Sequence, residues 1–191
     1  MILPRGQLVL VVGPSGAGKD TLIDHARGRL QSELGFRFVR RVITRPASVG
    51  EDHQPADAEM FEQLAANNVF ALHWHAHGFS YGLPPIINEW MAKGCTVIAN
   101  GSRAVLQEAR SRFPNLHVVN ITAPPEIIAA RLQARGRESG TMISDRLARA
   151  ESVDIAESAT HEIDNSGSLE AGGEALIRAL LAIRGARAPT T

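Results

Sequence analysis

The sequence predicts an α/β fold in which a parallel sheet is covered by helices on both faces. Three observations carry this. The run QLVLVV, Gln7 to Val12, has strand length and is stopped by Gly13 and Pro14, so it reads as a strand buried on both sides. Two further apolar runs, CTVIANG and LHVVNIT, have the same character and are separated by a helical stretch, Val105 to Arg112. Strand-like and helix-like segments then alternate along the chain, the pattern of parallel strands joined by helical crossovers.

In chain order, the loop after the first strand leads into a helix whose apolar positions Ile23, Ala26, Leu30 and Leu34 recur every three or four residues, ending at Gly35. Phe36 to Val39 alternates as a second short strand. The polar stretch RRVITRPASVGEDHQPADAE, broken by Pro46, Gly50 and Pro55, reads as a loop. Asp57 is placed to cap a helix carrying Met60, Phe61, Leu64 and Ala65, and Val69 to Tyr81 reads as strand up to Gly82. Pro84 and Pro85 suit the first turn of a helix that runs through Met91 and closes at Gly94. Pro124 and Pro125 open a helix to Arg135. A polar break from Gly136 to Thr141 precedes another helix with Ile143, Leu147 and Ala150, HEIDN is a last strand, and Glu174 to Arg184 a last helix.

At 191 residues one domain is expected. A composition of 44% hydrophobic and 21% charged residues excludes a disordered or membrane-spanning chain. The formal charge is zero, so there is no global electrostatic attraction to nucleic acid or an anionic membrane, and any anion site must be local. Only Lys19 and Lys93 among the twenty basic residues are lysines, which makes a lysine at position 19 informative. Cys95 is the single cysteine, which rules out an internal disulfide and a cysteine metal cage. No apolar run has the form of a secretory signal, and a reducing cytoplasm is the expected compartment.

The chemistry is carried first by VVGPSGAGKDTL. Gly13, Pro14, Ser15, Gly16, Ala17, Gly18 and Lys19 follow a buried strand and open a helix, the context in which such a loop cradles nucleotide phosphates. Asp20 stands where the motif has a hydroxyl residue. Mg²⁺ is a hard ion that prefers carboxylate and water oxygens, so Asp20 is a candidate ligand, with Thr21 a candidate for the displaced hydroxyl. His73, His75 and His77 alternate as on one strand face, yet no nearby cysteine completes a cage, and they are not read as a metal site. Trp74 and Cys95 read as core.

Beyond the loop, the segments ITRPASVGEDH, FALHWHAHGFSYG, GCTVIANGSRAVL and RLQARGRESGTMISDRLARA occur in an order that resembles the guanylate-kinase-like group, and within it the ribose 1,5-bisphosphate phosphokinases. The resemblance runs from about Gln7 to about Leu169. It implies a P-loop NTPase fold, with a five-stranded parallel sheet sandwiched by helices. The core would span about residues 5–35 and 94–185, with a substrate-binding insertion at about 36–93 and a short lid at about 136–142. It also implies ATP and Mg²⁺ as cofactors and conversion of ribose 1,5-bisphosphate to 5-phosphoribosyl 1-diphosphate, in phosphonate breakdown. An Asp after the loop lysine belongs to this branch.

Carried over residue by residue, the resemblance places Thr44, Arg45, Glu51, His53, His75, Tyr81, Asn100, Gly101, Ser102 and Arg103 around the substrate, and Arg131 and Asn165 at the nucleotide. Arg135, Arg137 and Arg146 would neutralise the transferring phosphoryl group from the lid, with Arg131 and Arg149 flanking the same break. Counting back from Tyr81-Gly82, the glutamate that reads guanine in guanylate kinases falls on Leu72, and the tyrosine they use on the nucleotide phosphate falls on His53. Ser48 stands where a second phosphate-binding arginine would be. Asn100 replaces the acid that many P-loop kinases carry at the end of the third strand. A phosphate acceptor, already ionised, does not need a base there. The rival expectations are a nucleoside monophosphate kinase and a guanylate-kinase-like binding module without catalysis.

Overall fold

The computed structural model describes residues 6–46, 52–134 and 161–186. At its centre is β1 (Gln7–Val12), buried along its whole length. It is flanked by two parallel neighbours, β7 (Thr96–Asn100) and β8 (Leu116–Thr122). The outer strands β2 (Phe36–Phe38) and β9 (His161–Asp164) complete a five-stranded, all-parallel sheet of order β2-β7-β1-β8-β9.

Alternation along β1 sends its side chains into two cores. Val9 and Val11 pack with Leu22, Ile23 and Ala26 of α1 (Lys19–Leu30) and with Leu176 and Leu180 of α6 (Leu169–Gly185). Leu8, Leu10 and Val12 face the other side, with Ile87 of α3 (Ile86–Ala92) and with Leu106 and Ala109 of α4 (Leu106–Arg112), which a short 3₁₀ turn at Arg103–Val105 introduces. A sheet buried on both faces is why these strands read as unbroken apolar runs. Pro125 to Ala134 forms α5.

That second core also receives one face of a smaller sheet, order β4-β3-β6-β5, made of β3 (Arg41–Ile43), β4 (His53–Pro55), β5 (Leu72–Ala76) and β6 (Phe79–Leu83). Here the structure corrects the sequence reading. The polar stretch expected to be loop contains β3 and β4, strands of three residues, too short to show a period and held by pairing with β6 and with each other.

The segment expected as one strand from Val69 to Tyr81 is a hairpin, turned at His77 (φ 54°) and Gly78 (φ 77°). Gly82, taken as a breaker, lies inside β6, where the Phe70 ring fills the space a side chain would need. Asp57 does cap α2 (Ala58–Ala66), accepting from the Glu59 and Met60 backbone N–H groups at 2.9 and 3.2 Å.

Two helix boundaries also move. The first helix stops at Leu30 rather than reaching Gly35, and Leu34 is 86% exposed, off the apolar stripe. The last helix starts at Leu169, capped by Ser168, five residues before Glu174. Gly172 and Gly173 do not break it. They let α6 approach Leu22, His25 and Asn165 more closely than a Cβ would permit. The expected helix around Ile143, Leu147 and Ala150 and the lid at about 136–142 lie outside the described residues.

Candidate active site

The glycine loop leaves the carboxyl end of β1 and enters α1 with Gly18 as N-cap in the left-handed region (φ 93°). Lys19 folds back over it: Nζ donates to the carbonyls of Gly13 and Pro14, both at 2.8 Å. The Ala17 carbonyl accepts from Asn165 Nδ2 at 2.7 Å and from Arg131 Nη1 at 3.4 Å, while Arg131 Nη2 donates to the Asn165 carbonyl at 2.9 Å. Three loop carbonyls are thus tied to protein donors, which keeps their negative ends away from an anion in the loop.

Asn165 and Arg131, expected at the nucleotide, are placed against the loop backbone, with Asn165 only 5% exposed. Asn165→Ala removes the shorter of the two side-chain hydrogen bonds to the Ala17 carbonyl and is expected to lower stability by about 0.5–1.5 kcal/mol. Thermal denaturation with and without ATP is the check; an unchanged midpoint would remove the clamp.

Asp20 sits in the first turn of α1, and the parallel register that sets Asn100 beside Val11 brings the end of β7 next to it. Asn100 Nδ2 donates to Asp20 Oδ1 at 2.5 Å. The same oxygen accepts from Arg41 Nη2 at 3.2 Å. Asn100 is buried, and its own Oδ1 has no hydrogen-bond partner among the described residues. Thr21 is exposed and lies about 100° around the helix from Asp20, so the two side chains do not share a face.

Arg41 is the site residue that the sequence reading missed. It is 7% exposed, and its guanidinium lies 5.7 Å from the centre of the Tyr81 ring. The only available signal was alternation, because Arg41 and the core residue Ile43 share a face of β3, and recognising β3 was a precondition for using it.

Tyr81 stacks on its cross-strand partner Trp74, with centroids 5.4 Å apart and rings 4° from parallel. Two residues along β6 on the same face, Phe79 lies under the Arg45 guanidinium at 5.4 Å. Thr44 fastens β6, its Oγ1 accepting from the Ser80 N–H at 2.8 Å. His53 is 1% exposed, and its Nε2 meets the Arg45 carbonyl at 3.0 Å, so its ring holds the arginine's backbone.

His75 is not brought to this group. It lies on the opposite face of the hairpin, where its Nδ1 contacts Ser80 Oγ at 2.9 Å and Ser80 in turn donates to Glu62 of α2 at 3.1 Å. Period two is the reason: Trp74 and Tyr81 occupy the inner face, so their neighbours His75 and Ser80 take the outer one. His77 sits in the turn, and among the described residues no cluster of His, Cys, Asp and Glu could hold a metal.

Gly101 donates its N–H to the Val11 carbonyl at 2.9 Å, and Ser102 caps the 3₁₀ turn, its Oγ accepting from the Ala104 N–H at 3.3 Å. Arg103 begins that turn half-buried, and burial pushes its pKa below the usual arginine value. Glu51, Arg135, Arg137 and Arg146 lie outside the described residues.

Against known proteins, the AAA domain family model matches residues 9–157. A relative from Thiobacillus denitrificans is 44% identical over 179 residues, covering 93% of this chain and 94% of its own. One from Brucella melitensis is 47% identical, with 93% of each chain covered. Both are named ribose 1,5-bisphosphate phosphokinase PhnN. The chain belongs to the PhnN family, within the AAA-domain group. By structure it is similar to guanylate kinase from Anaplasma phagocytophilum, with a TM-score of 0.66 at 19% identity over 96% of this chain and 89% of that one. A gluconokinase from Sinorhizobium meliloti gives 0.55 at 19% identity over 97% and 96%. These two likenesses are of fold. In this PhnN-family chain Leu72 is fully buried in the core. Among the described residues no helix is long and apolar enough to cross a membrane.

Proposed function

We propose that this chain transfers the γ-phosphoryl group of ATP to the 1-phosphate of ribose 1,5-bisphosphate, giving 5-phosphoribosyl 1-diphosphate and ADP, a step of phosphonate catabolism. The PhnN family supports the reaction. The observation that carries the mechanism is the meeting of Asp20 with Asn100 and Arg41: the end of β7 presents an amide, and the Asp20 carboxylate accepts hydrogen bonds from both side chains. The acceptor asks for no side chain to take a proton. A phosphate nucleophile has none to give near neutral pH, so charge neutralisation and alignment do most of the work.

In the transfer, an oxygen of the acceptor phosphate forms a bond to the γ-phosphorus as the bond from that phosphorus to the β–γ bridging oxygen breaks, and ADP leaves with the electron pair. Lys19 exchanges its two loop carbonyls for phosphate oxygens. The Asp20 carboxylate and the unsatisfied Oδ1 of Asn100 are hard oxygen donors, a set that fits Mg²⁺ directly or through water. When bound there, the ion supplies positive charge to the β- and γ-phosphates. Arg45, its backbone held by His53, takes the 5-phosphate. Arg135, Arg137 and Arg146, by the family resemblance, would neutralise charge on the transferring group.

Incubation with ATP and ribose 1,5-bisphosphate, followed by ³¹P NMR, tests the reading. A diphosphate on C1 and ADP are expected in equal amounts, with no ADP released when GMP replaces the sugar. Turnover of GMP instead would make the chain a nucleoside monophosphate kinase. Failure to bind ATP with Mg²⁺ would leave a binding module.

A further inference from the structure

We infer that Arg41 is the residue that selects the acceptor phosphate: it binds the 1-phosphate of the sugar while Arg45 binds the 5-phosphate. The inference rests on the reading of the acceptor as a sugar bisphosphate.

The two arginines stand over adjacent same-face rings of one strand, Arg41 over Tyr81 and Arg45 over Phe79. The two rings beneath them are two residues apart on β6, roughly 6–7 Å along the strand, so a ligand with two phosphates meets two cations on that face. Of the two, Arg41 is the one beside Asp20 and Asn100, hence nearer the phosphoryl donor. In sequence, Ser48 stands where the resemblance would put a second phosphate-binding arginine, and Arg41, on β3, supplies a positive charge.

Arg41 is also chemically prepared for the exchange. Its side chain is 9% exposed and Asp20's is 29%, so the cation sits where an anion is needed, whereas the carboxylate reaches towards water. Asp20 Oδ1 serves two donors at once. Were the Asp20 carboxylate to hold a magnesium ion, it would be a weaker partner for Arg41, and a dianionic phosphate would be a suitable acceptor for that guanidinium. The two binding events are then linked, and linkage is reciprocal.

The test is calorimetric binding of ribose 1,5-bisphosphate and ribose 5-phosphate to the full chain in the presence of Mg²⁺ and ADP. For Arg41→Met, affinity for the bisphosphate is expected to fall about ten- to a hundred-fold, with ribose 5-phosphate affected about two-fold or less. Arg45→Met should weaken both ligands. Loss of both ligands alike in Arg41→Met, or of neither, overturns the assignment.

ADP binding by Arg41→Met reports whether it folds. Should it not, Arg41→Lys, which keeps the charge and loses the planar fork, is expected to narrow the preference for bisphosphate over monophosphate, and an unchanged preference would overturn the assignment. A wild-type chain that binds ribose 5-phosphate as tightly as the bisphosphate would sink the sugar-bisphosphate reading itself.

Discussion

Replacement of Asp20 by asparagine is expected to lower kcat by about 10²–10³-fold, an effect of the size produced by removing one electrostatic contact made in the transition state. Asparagine matches the shape of aspartate and can still accept from Asn100 and Arg41, so the pocket should keep its form. The lost group is the negative charge. The Mg²⁺ concentration giving half-maximal rate should rise, since a neutral amide oxygen is a poorer ligand for a hard ion than a carboxylate. Steady-state kinetics across a Mg²⁺ titration decides it: a variant with the wild-type metal dependence would show that Asp20 serves Asn100 and Arg41 and not the ion. Some loss of stability accompanies the change, because the ion pair between Asp20 and the buried Arg41 is weakened, though partial exposure of Asp20 reduces that cost.

Gly13→Ala should be the most damaging single methyl in the described loop. Gly13 has φ 140°, a conformation strained for any residue with a Cβ, and the new carbon would overlap the Ile121 carbonyl. That carbonyl belongs to β8, a strand bonded on both sides, so no flexible side chain can yield. Strain and overpacking together predict a loss of about 3 kcal/mol or more, and a fall in Tm of roughly 6–12 °C for a domain of this size. Gly28→Ala is the control. It lies inside α1 with nothing within 4 Å of an added Cβ, and should stabilise by about 0.5–1 kcal/mol. Calorimetric unfolding of both variants separates a site-specific clash from a general intolerance of substituted glycines.

The candidate site was legible in proportion to how local its signals are. The strand, loop and helix from Gln7 to Leu30 are written in consecutive residues: an apolar run, glycines at turning points, one of two lysines, then an apolar stripe. Asp57 announces α2 and Pro84-Pro85 announces α3 by the same kind of short-range chemistry. The short strands β3 and β4 announce nothing, because three residues carry no measurable period. Their hydrogen-bond partners are on β6 and on each other.

The sequence by itself determined the parallel core and the phosphate loop, with an acid in the first turn of its helix, since backbone conformation and face burial follow from neighbouring residues. Tertiary structure alone decided which polar groups meet: Asp20 with Asn100, 80 positions away, and with Arg41, 21 away, the Ala17 carbonyl with Asn165, 148 away, and His75 with Ser80 on the outer face. Those contacts depend on strand register, on hairpin pairing and, for Arg41, on how the two sheets share one core, and side chains brought together in these ways leave no periodic trace in the chain that carries them.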